Sequence, residues 1–175
     1  MHTTPNWLQL LLILVLTFAS PSSSVLAANK DEYTNKARHL YQFARHIQWP
    51  RSSTLLVCVI GPDPFGKKLD QFLQGKRIGG RKLIPKRLSG SHQVSGCHML
   101  FISGKLKSQQ ITKILTKTKG KIITVGEVPG FIQKGGLLNF IMSKQHVRYE
   151  VNHSLAKKKG LKFAYPLIKM AKKRF

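Results

Sequence analysis

The stretch Thr54-Leu-Leu-Val-Cys-Val-Ile60 is a near-continuous apolar run with four β-branched residues, Thr54, Val57, Val59 and Ile60. A strand with one wet face alternates polar and apolar residues. This one does not alternate, so it is expected to be covered on both faces, as strands of a parallel sheet are. Working outward, Asp63 and Pro64 offer an N-cap and a first helical residue, and Leu69, Phe72 and Leu73 follow at helical spacing before Gly75. Residues 82–88 read as a more polar strand towards an edge, and residues 98–103 as another apolar one. A helix through Ile111, Ile114 and Leu115 leads to a strand over 121–125. Strand and helix units alternating over short connections predict a parallel α/β core.

The flanks complete the layout. Tyr33, Ala37, Leu40, Tyr41, Ala44 and Ile47 form an amphipathic helical stripe, stopped at Pro50 just after Trp49. Residues 28–32 read as a loose polar lead-in. Towards the other end, strands over 137–142 and 147–152 enclose a Ser143-Lys-Gln-His146 turn. In the second of them Val147, Tyr149 and Val151 alternate with Arg148, Glu150 and Asn152. A closing helix from Pro166 is expected to bury Leu167, Met170 and Ala171. The expected fold is one three-layer α/β domain over residues 28–175, a mostly parallel sheet flanked by helices, with a C-terminal β-hairpin and a closing helix.

Residues 7–18 are almost wholly apolar, too few to span a bilayer, which needs about 20. A Ser/Pro stretch and Val25-Leu26-Ala27 follow. Together they read as a signal peptide over residues 1–27, cleaved between Ala27 and Ala28, which places the body of the chain in the periplasm. The leader carries no Lys or Arg, so an uncleaved anchor stands as the alternative. In an exported chain two cysteines make a disulfide the default, here Cys58 with Cys97. If β-strands place them side by side, neighbouring strands about 4.8 Å apart suit such a bridge.

The 175 residues hold 30 Lys and Arg against 6 Asp and Glu, a formal charge of +24. Such a field favours anionic partners: acidic protein faces, lipid headgroups or nucleic acid. The bland alternative is a basic composition that carries no specificity. Lys157, Lys158 and Lys159 form the clearest cluster, with a second in residues 169–174. No recognition motif or interleaved aromatics accompany them, so no specific nucleic-acid partner is expected.

Catalytic readings fail on chemistry. Gly61-Pro-Asp-Pro-Phe-Gly66-Lys67-Lys68 imitates a phosphate-binding loop. Two prolines remove backbone N–H donors that such a loop needs, and Lys68 stands where a metal-holding hydroxyl belongs. Cys97-His98 lacks an evident free thiol and orienting partner. The seven histidines are scattered, so no metal or cofactor is expected, and six acids offer no obvious hydrolytic pair.

Phe43-Ala-Arg-His-Ile-Gln-Trp49-Pro50, Val57-Cys58-Val-Ile-Gly61, Asp63-Pro64-Phe65-Gly66, Gly79-Gly80-Arg81, Cys97-His-Met-Leu-Phe-Ile-Ser103, Gly135-Gly136-Leu-Leu-Asn139-Phe140 and Val147-Arg148-Tyr-Glu150-Val-Asn152 occur in this order. The series resembles the YfiR family of exported regulators, from about residue 33 to 173. The resemblance implies a periplasmic α/β protein without enzymatic activity. It implies a partner as well: the periplasmic sensor part of an inner-membrane diguanylate cyclase, held off so that cyclic di-GMP and biofilm stay low. Relatives commonly form homodimers and answer to envelope redox state through disulfides. Some carry a second cysteine pair near the C-terminal hairpin, where this chain has Leu138 and Asn139, so control through that bridge is not expected.

The function expected is therefore a non-enzymatic periplasmic regulator restraining a membrane signalling protein. A small-ligand or polyanion binder of the same fold is the alternative. Leu138, Glu150, Lys157, Lys158 and Lys159 are the partner-interface candidates. Peripheral contact with an anionic membrane surface is a further expected partner class.

Overall fold

A computed structural model describes residues 23–118 and 121–175, the first nine of them through their backbone alone. Helix α1, Ser23–Arg45, runs first and carries the stripe Ala37, Leu40, Phe43 and Ala44, all buried. The polar stretch 28–32 lies within this helix and is not a loose lead-in. Of the expected leader, residues 1–22 fall outside the described residues. Among the described residues no helix is long and apolar enough to cross a membrane.

Strand β1, Thr54–Ile60, is followed by helix α2, Lys67–Leu73, and by β2, Arg77–Ile78, which pairs antiparallel with β3, Arg81–Leu88. A 3-10 turn, Ser91–Gly96, leads to β4, Met99–Ile102, then α3, Ser108–Lys117, and β5, Ile123–Gly126. The hairpin β6, Leu138–Ser143, and β7, His146–Val151, turns at Lys144 and Gln145, both with positive φ, as a two-residue hairpin loop requires. Helices α4, His153–Lys158, and α5, Tyr165–Lys169, precede the short β8, Lys173–Arg174.

Among the described residues eight strands form one sheet in the order β2-β3-β1-β4-β5-β6-β7-β8. β3 lies parallel to β1 on one side, Thr54 opposite Lys82, and β4 on the other, Val57 opposite Met99. The parallel core β3-β1-β4-β5-β6 therefore has its carboxyl ends along one rim. The order reverses beside β1, so helices cover both faces. Leu55, Val57, Val59, Phe101 and Val125 face α1 and α2 in one core cluster. Cys58, Ile60, Leu100 and Ile102 face α3 in the other. This is the three-layer α/β arrangement that the apolar strands predict.

Three local expectations need correction. Asp63 does not cap α2: its Oδ1 accepts from the Phe65 N–H at 2.8 Å in a turn, and the helix begins only after Gly66. Two prolines and a positive-φ Gly61 keep the chain out of helical geometry until then. Met170 is 58% exposed, unlike the buried Leu167 and Ala171, because α5 is one turn long and ends before it. Neither α4 nor β8 was expected: α4 buries a single side chain, Ala156, which leaves no periodic signal.

Candidate functional site

Beyond Gly126 the chain turns over its own glycines. Phe131 packs so closely that a Cβ on Gly126 would lie 2.3 Å from its ring, and one on Gly136 2.1 Å. That packing folds residues 127–136 down beside the carboxyl rim and fixes Glu127 at the end of β5. The hairpin β6–β7 extends past β5, which pairs only with Leu138 and Asn139. Between the projecting hairpin, this loop and the middle of α1 lies a cleft of about 480 Å³. Glu32, Lys36, Glu127, Asn139, Glu150 and Lys173 line it.

Lys36 is buried on the inner side of α1, and its Nζ donates to Glu32 and, at 2.7 Å, to Glu127 Oε2. A buried ammonium needs such partners, since an unpaired one would cost several kcal/mol. Tyr33 donates its hydroxyl to Glu127 Oε2 at 3.3 Å, and the Gly104 N–H donates to Oε1 at 3.0 Å. Burial first, then the charges of Glu127 and Glu32, holds the Tyr33 hydroxyl well above the ordinary phenol range. Glu127 is thus saturated with donors and acts as a tie between α1, β4 and β5. It is poorly placed to abstract a proton from anything else.

Glu150 sits at the other wall. Asn139 Nδ2 donates to its Oε2 at 3.0 Å, and Lys173 Nζ of β8 lies 3.9 Å from Oε1. β8 brings Lys173 alongside, because it pairs with β7 at Glu150 itself. Asn139 is fully buried, and its Oδ1 has no hydrogen-bond partner. The cleft holds three carboxylates against two ammonium groups, in a chain with 6 acids in all. It can offer negative charge to a cationic group on another molecule.

The other sequence candidates separate. Cys58 and Cys97 are joined, with sulfurs 1.96 Å and Cα atoms 5.9 Å apart, under α3. Leu138 is fully buried in the cluster beneath α1, on the face of the sheet opposite Glu150, so its side chain is not presented to solvent. Lys157 and Lys158 close α4, and Lys159 donates to the Thr118 carbonyl at 3.2 Å, away from the cleft. Lys36 and Glu127 were not singled out from the sequence. A lysine one position before Ala37, inside the apolar stripe, and one of only two acids after Asp70 were the available signals.

The false phosphate loop has its own use. Arg87 donates to Asp63 Oδ2 at 2.9 Å, to Asp70 Oδ1 at 2.7 Å and to the Gly66 carbonyl at 2.6 Å, clamping β3 to α2. Burial alone would lower the Arg87 pKa, and the two carboxylates outweigh it. Among the described residues no group of His, Cys, Asp and Glu converges as a metal-ligand set.

A family model described as YfiR/HmsC-like matches residues 33–172. No curated protein matches the sequence. Among solved structures, a conserved domain protein from Vibrio cholerae O1 biovar El Tor aligns with a TM-score of 0.57 at 8% identity, over 82% of this chain and 60% of its own. An ABC domain from Streptococcus pneumoniae, solved in complex with L-Trp, aligns with a TM-score of 0.54 at 6% identity, again over 82% and 60%. This chain thus spans about three fifths of the length of either, and the likeness is one of fold.

Proposed function

The chain belongs to the YfiR/HmsC-like family, a family of periplasmic regulators, and from that premise we propose that it binds the periplasmic sensor region of an inner-membrane signalling protein and holds it inactive. The signalling protein is a diguanylate cyclase, and the regulator does no chemistry of its own. The family match over residues 33–172 carries the reading. The carboxyl-rim cleft supports it, because it presents Glu150 at a projecting hairpin of an otherwise basic protein. Docking there centres on Glu150 and not on Leu138, which is inside the core.

The test has two parts. Protein tagged in the periplasm should co-purify a membrane protein with a cytoplasmic cyclase domain. Deletion of the gene should raise cyclic di-GMP, and the wild-type gene should lower it again. Unchanged cyclic di-GMP together with no membrane partner would remove the reading.

One observation favours a second reading, a small-ligand binder of the same fold. A cleft of about 330 Å³ between α1 and α5 is floored by Phe43, Tyr149 and Leu167 and rimmed by His39, His46 and Arg148. An apolar floor with one guanidinium and two imidazoles at its rim suits a small apolar anion. A rise in melting temperature with such a compound, in a protein that leaves cyclic di-GMP untouched, would favour it.

A further inference from the structure

Every carboxylate whose side chain the structure describes lies towards the carboxyl rim of the sheet. Glu32 and Glu127 share Lys36 there. Asp63 follows the end of β1, and Arg87 ties Asp70 to it. Glu150 bonds Asn139, which pairs with Gly126, the last residue of β5.

Among the described residues, the charged side chains at the amino rim are cations. Arg51 precedes β1, and Arg81, whose Nε donates to the Pro50 carbonyl at 3.3 Å, opens β3 beside Lys82. Lys121 precedes β5 and lies against the turn at Gly160, where a Cβ would be 4.0 Å from its Cε. Lys162 joins the same rim, its carbonyl accepting from the Gln48 N–H at 3.0 Å. The end of α4 adds Lys157 and Lys158, both exposed. Trp49, Lys121 and Lys162 surround a shallow recess of about 210 Å³.

Screening makes this separation matter. Exposed charges act over about 8 Å at physiological ionic strength. A ligand at the amino rim therefore meets local lysine and arginine, and the carboxylates at the far rim do not offset them. Most are lysines, long, hydrated point charges carried by separate elements, suited to a diffuse plane of phosphates more than to one bidentate pocket. Trp49 is partly buried against the core, its indole N–H held by the Ala44 carbonyl at 2.7 Å, so little of its ring is left for bases to stack on.

We propose that the amino rim is a docking surface for the anionic phospholipid headgroups of a bilayer. It binds peripherally, through lysine and arginine and without insertion. Docked so, the protein turns its carboxyl rim and the acid-lined cleft away from the lipid. The inference needs nothing from the cyclase reading and stands or falls separately.

The test uses protein purified from the periplasm, as the cell processes it, and sedimentation with vesicles. Vesicles containing phosphatidylglycerol should pull it down, pure phosphatidylcholine vesicles should not, and rising salt should release it. Each basic residue near an anionic surface is worth roughly a fivefold change in partitioning. The triple variant Lys121→Gln, Lys158→Gln, Lys162→Gln should therefore bind about 100-fold more weakly. A control with the same net charge, Lys67→Gln, Lys105→Gln, Lys107→Gln, alters exposed lysines at the carboxyl rim and should bind nearly as wild type. Equal loss in the two triples would show net charge alone and overturn the proposal. So would indifference to phosphatidylglycerol, or displacement from vesicles by single-stranded DNA at matched phosphate. Should the first triple melt early, Lys121→Gln and Lys162→Gln taken singly should each cost roughly fivefold.

Discussion

The ammonium of Lys36 lies 2.7 Å from Oε2 of Glu127, a contact that ties the first helix to the loop after β5 across 91 positions of sequence. The same ammonium stands 4.5 Å from the centre of the Tyr33 ring and also bonds Glu32. One buried cation thus sets the position of two carboxylates and an aromatic ring. The wall of the candidate cleft depends on it.

Removing that cation should be costly in a particular way. Lys36→Met leaves Glu127, largely buried, without its ion partner, and should cost about 3 kcal/mol. Glu127→Gln should cost less, about 1–2 kcal/mol, since Glu32 still pairs with Lys36. The double variant should recover part of the sum, because neither charge then remains unpaired. Urea unfolding of the four proteins measures this, and strictly additive losses would contradict the pairing.

Reduction should unmask a second dependence. The Cys58–Cys97 bridge closes a loop of separation 39 and should stabilise the fold by about 4 kcal/mol on the chain-entropy account. Both sulfurs are buried, so a mild reductant should act only as the protein opens. Mass spectrometry of unreduced periplasmic protein should show the mass of the bridged form. Two thiols that alkylate freely without reductant would end this expectation.

Acid should weaken the fold through His98. Its Nδ1 accepts the Leu56 N–H at 3.1 Å, which requires the neutral ring, and burial lowers its pKa below the ordinary histidine value. The unfolded chain takes up the proton first, near pH 6.5. The contribution of His98 is therefore complete above about pH 6.5 and declines as pH falls through its lower folded pKa. Urea midpoints should drop between neutral pH and pH 5 by more in wild type than in His98→Gln. Equal drops would assign the acid sensitivity to other groups.

Why these features differ in legibility is a matter of local against distant chemistry. Strands covered on both faces announce themselves as runs such as residues 54–60 and 98–103, so the parallel core was readable. The alternation in β7 correctly put Glu150 on the face opposite Val147, Tyr149 and Val151. Its partner was not readable, because Lys173 arrives on a two-residue strand with no pattern of its own. Leu138 looked available only through resemblance; its burial follows from the sheet face it shares with Phe140 under α1. The segregation of acids to one rim is a property of strand order. No window of sequence contains it.

Glu150 separates structure from docking most cleanly. Its side chain is 12% exposed, bonds the amide of Asn139 and faces Lys173, which is 65% exposed. In Glu150→Gln the new side chain can still turn an oxygen towards Asn139 Nδ2, so the hydrogen bond survives. What is lost is the charge facing a solvated lysine 3.9 Å away, a pairing worth about 0–1 kcal/mol. Glu150→Ala differs. It leaves Asn139, already lacking a partner for its Oδ1, with an unpaired buried Nδ2 as well, and should cost about 1–3 kcal/mol. Stability thus ranks wild type and Glu150→Gln close together and Glu150→Ala below. Restraint of the partner should rank otherwise if the cleft recognises a cationic group. Glu150→Gln should then accumulate normally in the periplasm yet leave cyclic di-GMP raised and biofilm heavier, as Glu150→Ala does. A Glu150→Gln protein that is abundant and fully restraining would take Glu150 out of the interface and leave it the structural partner of Asn139 alone.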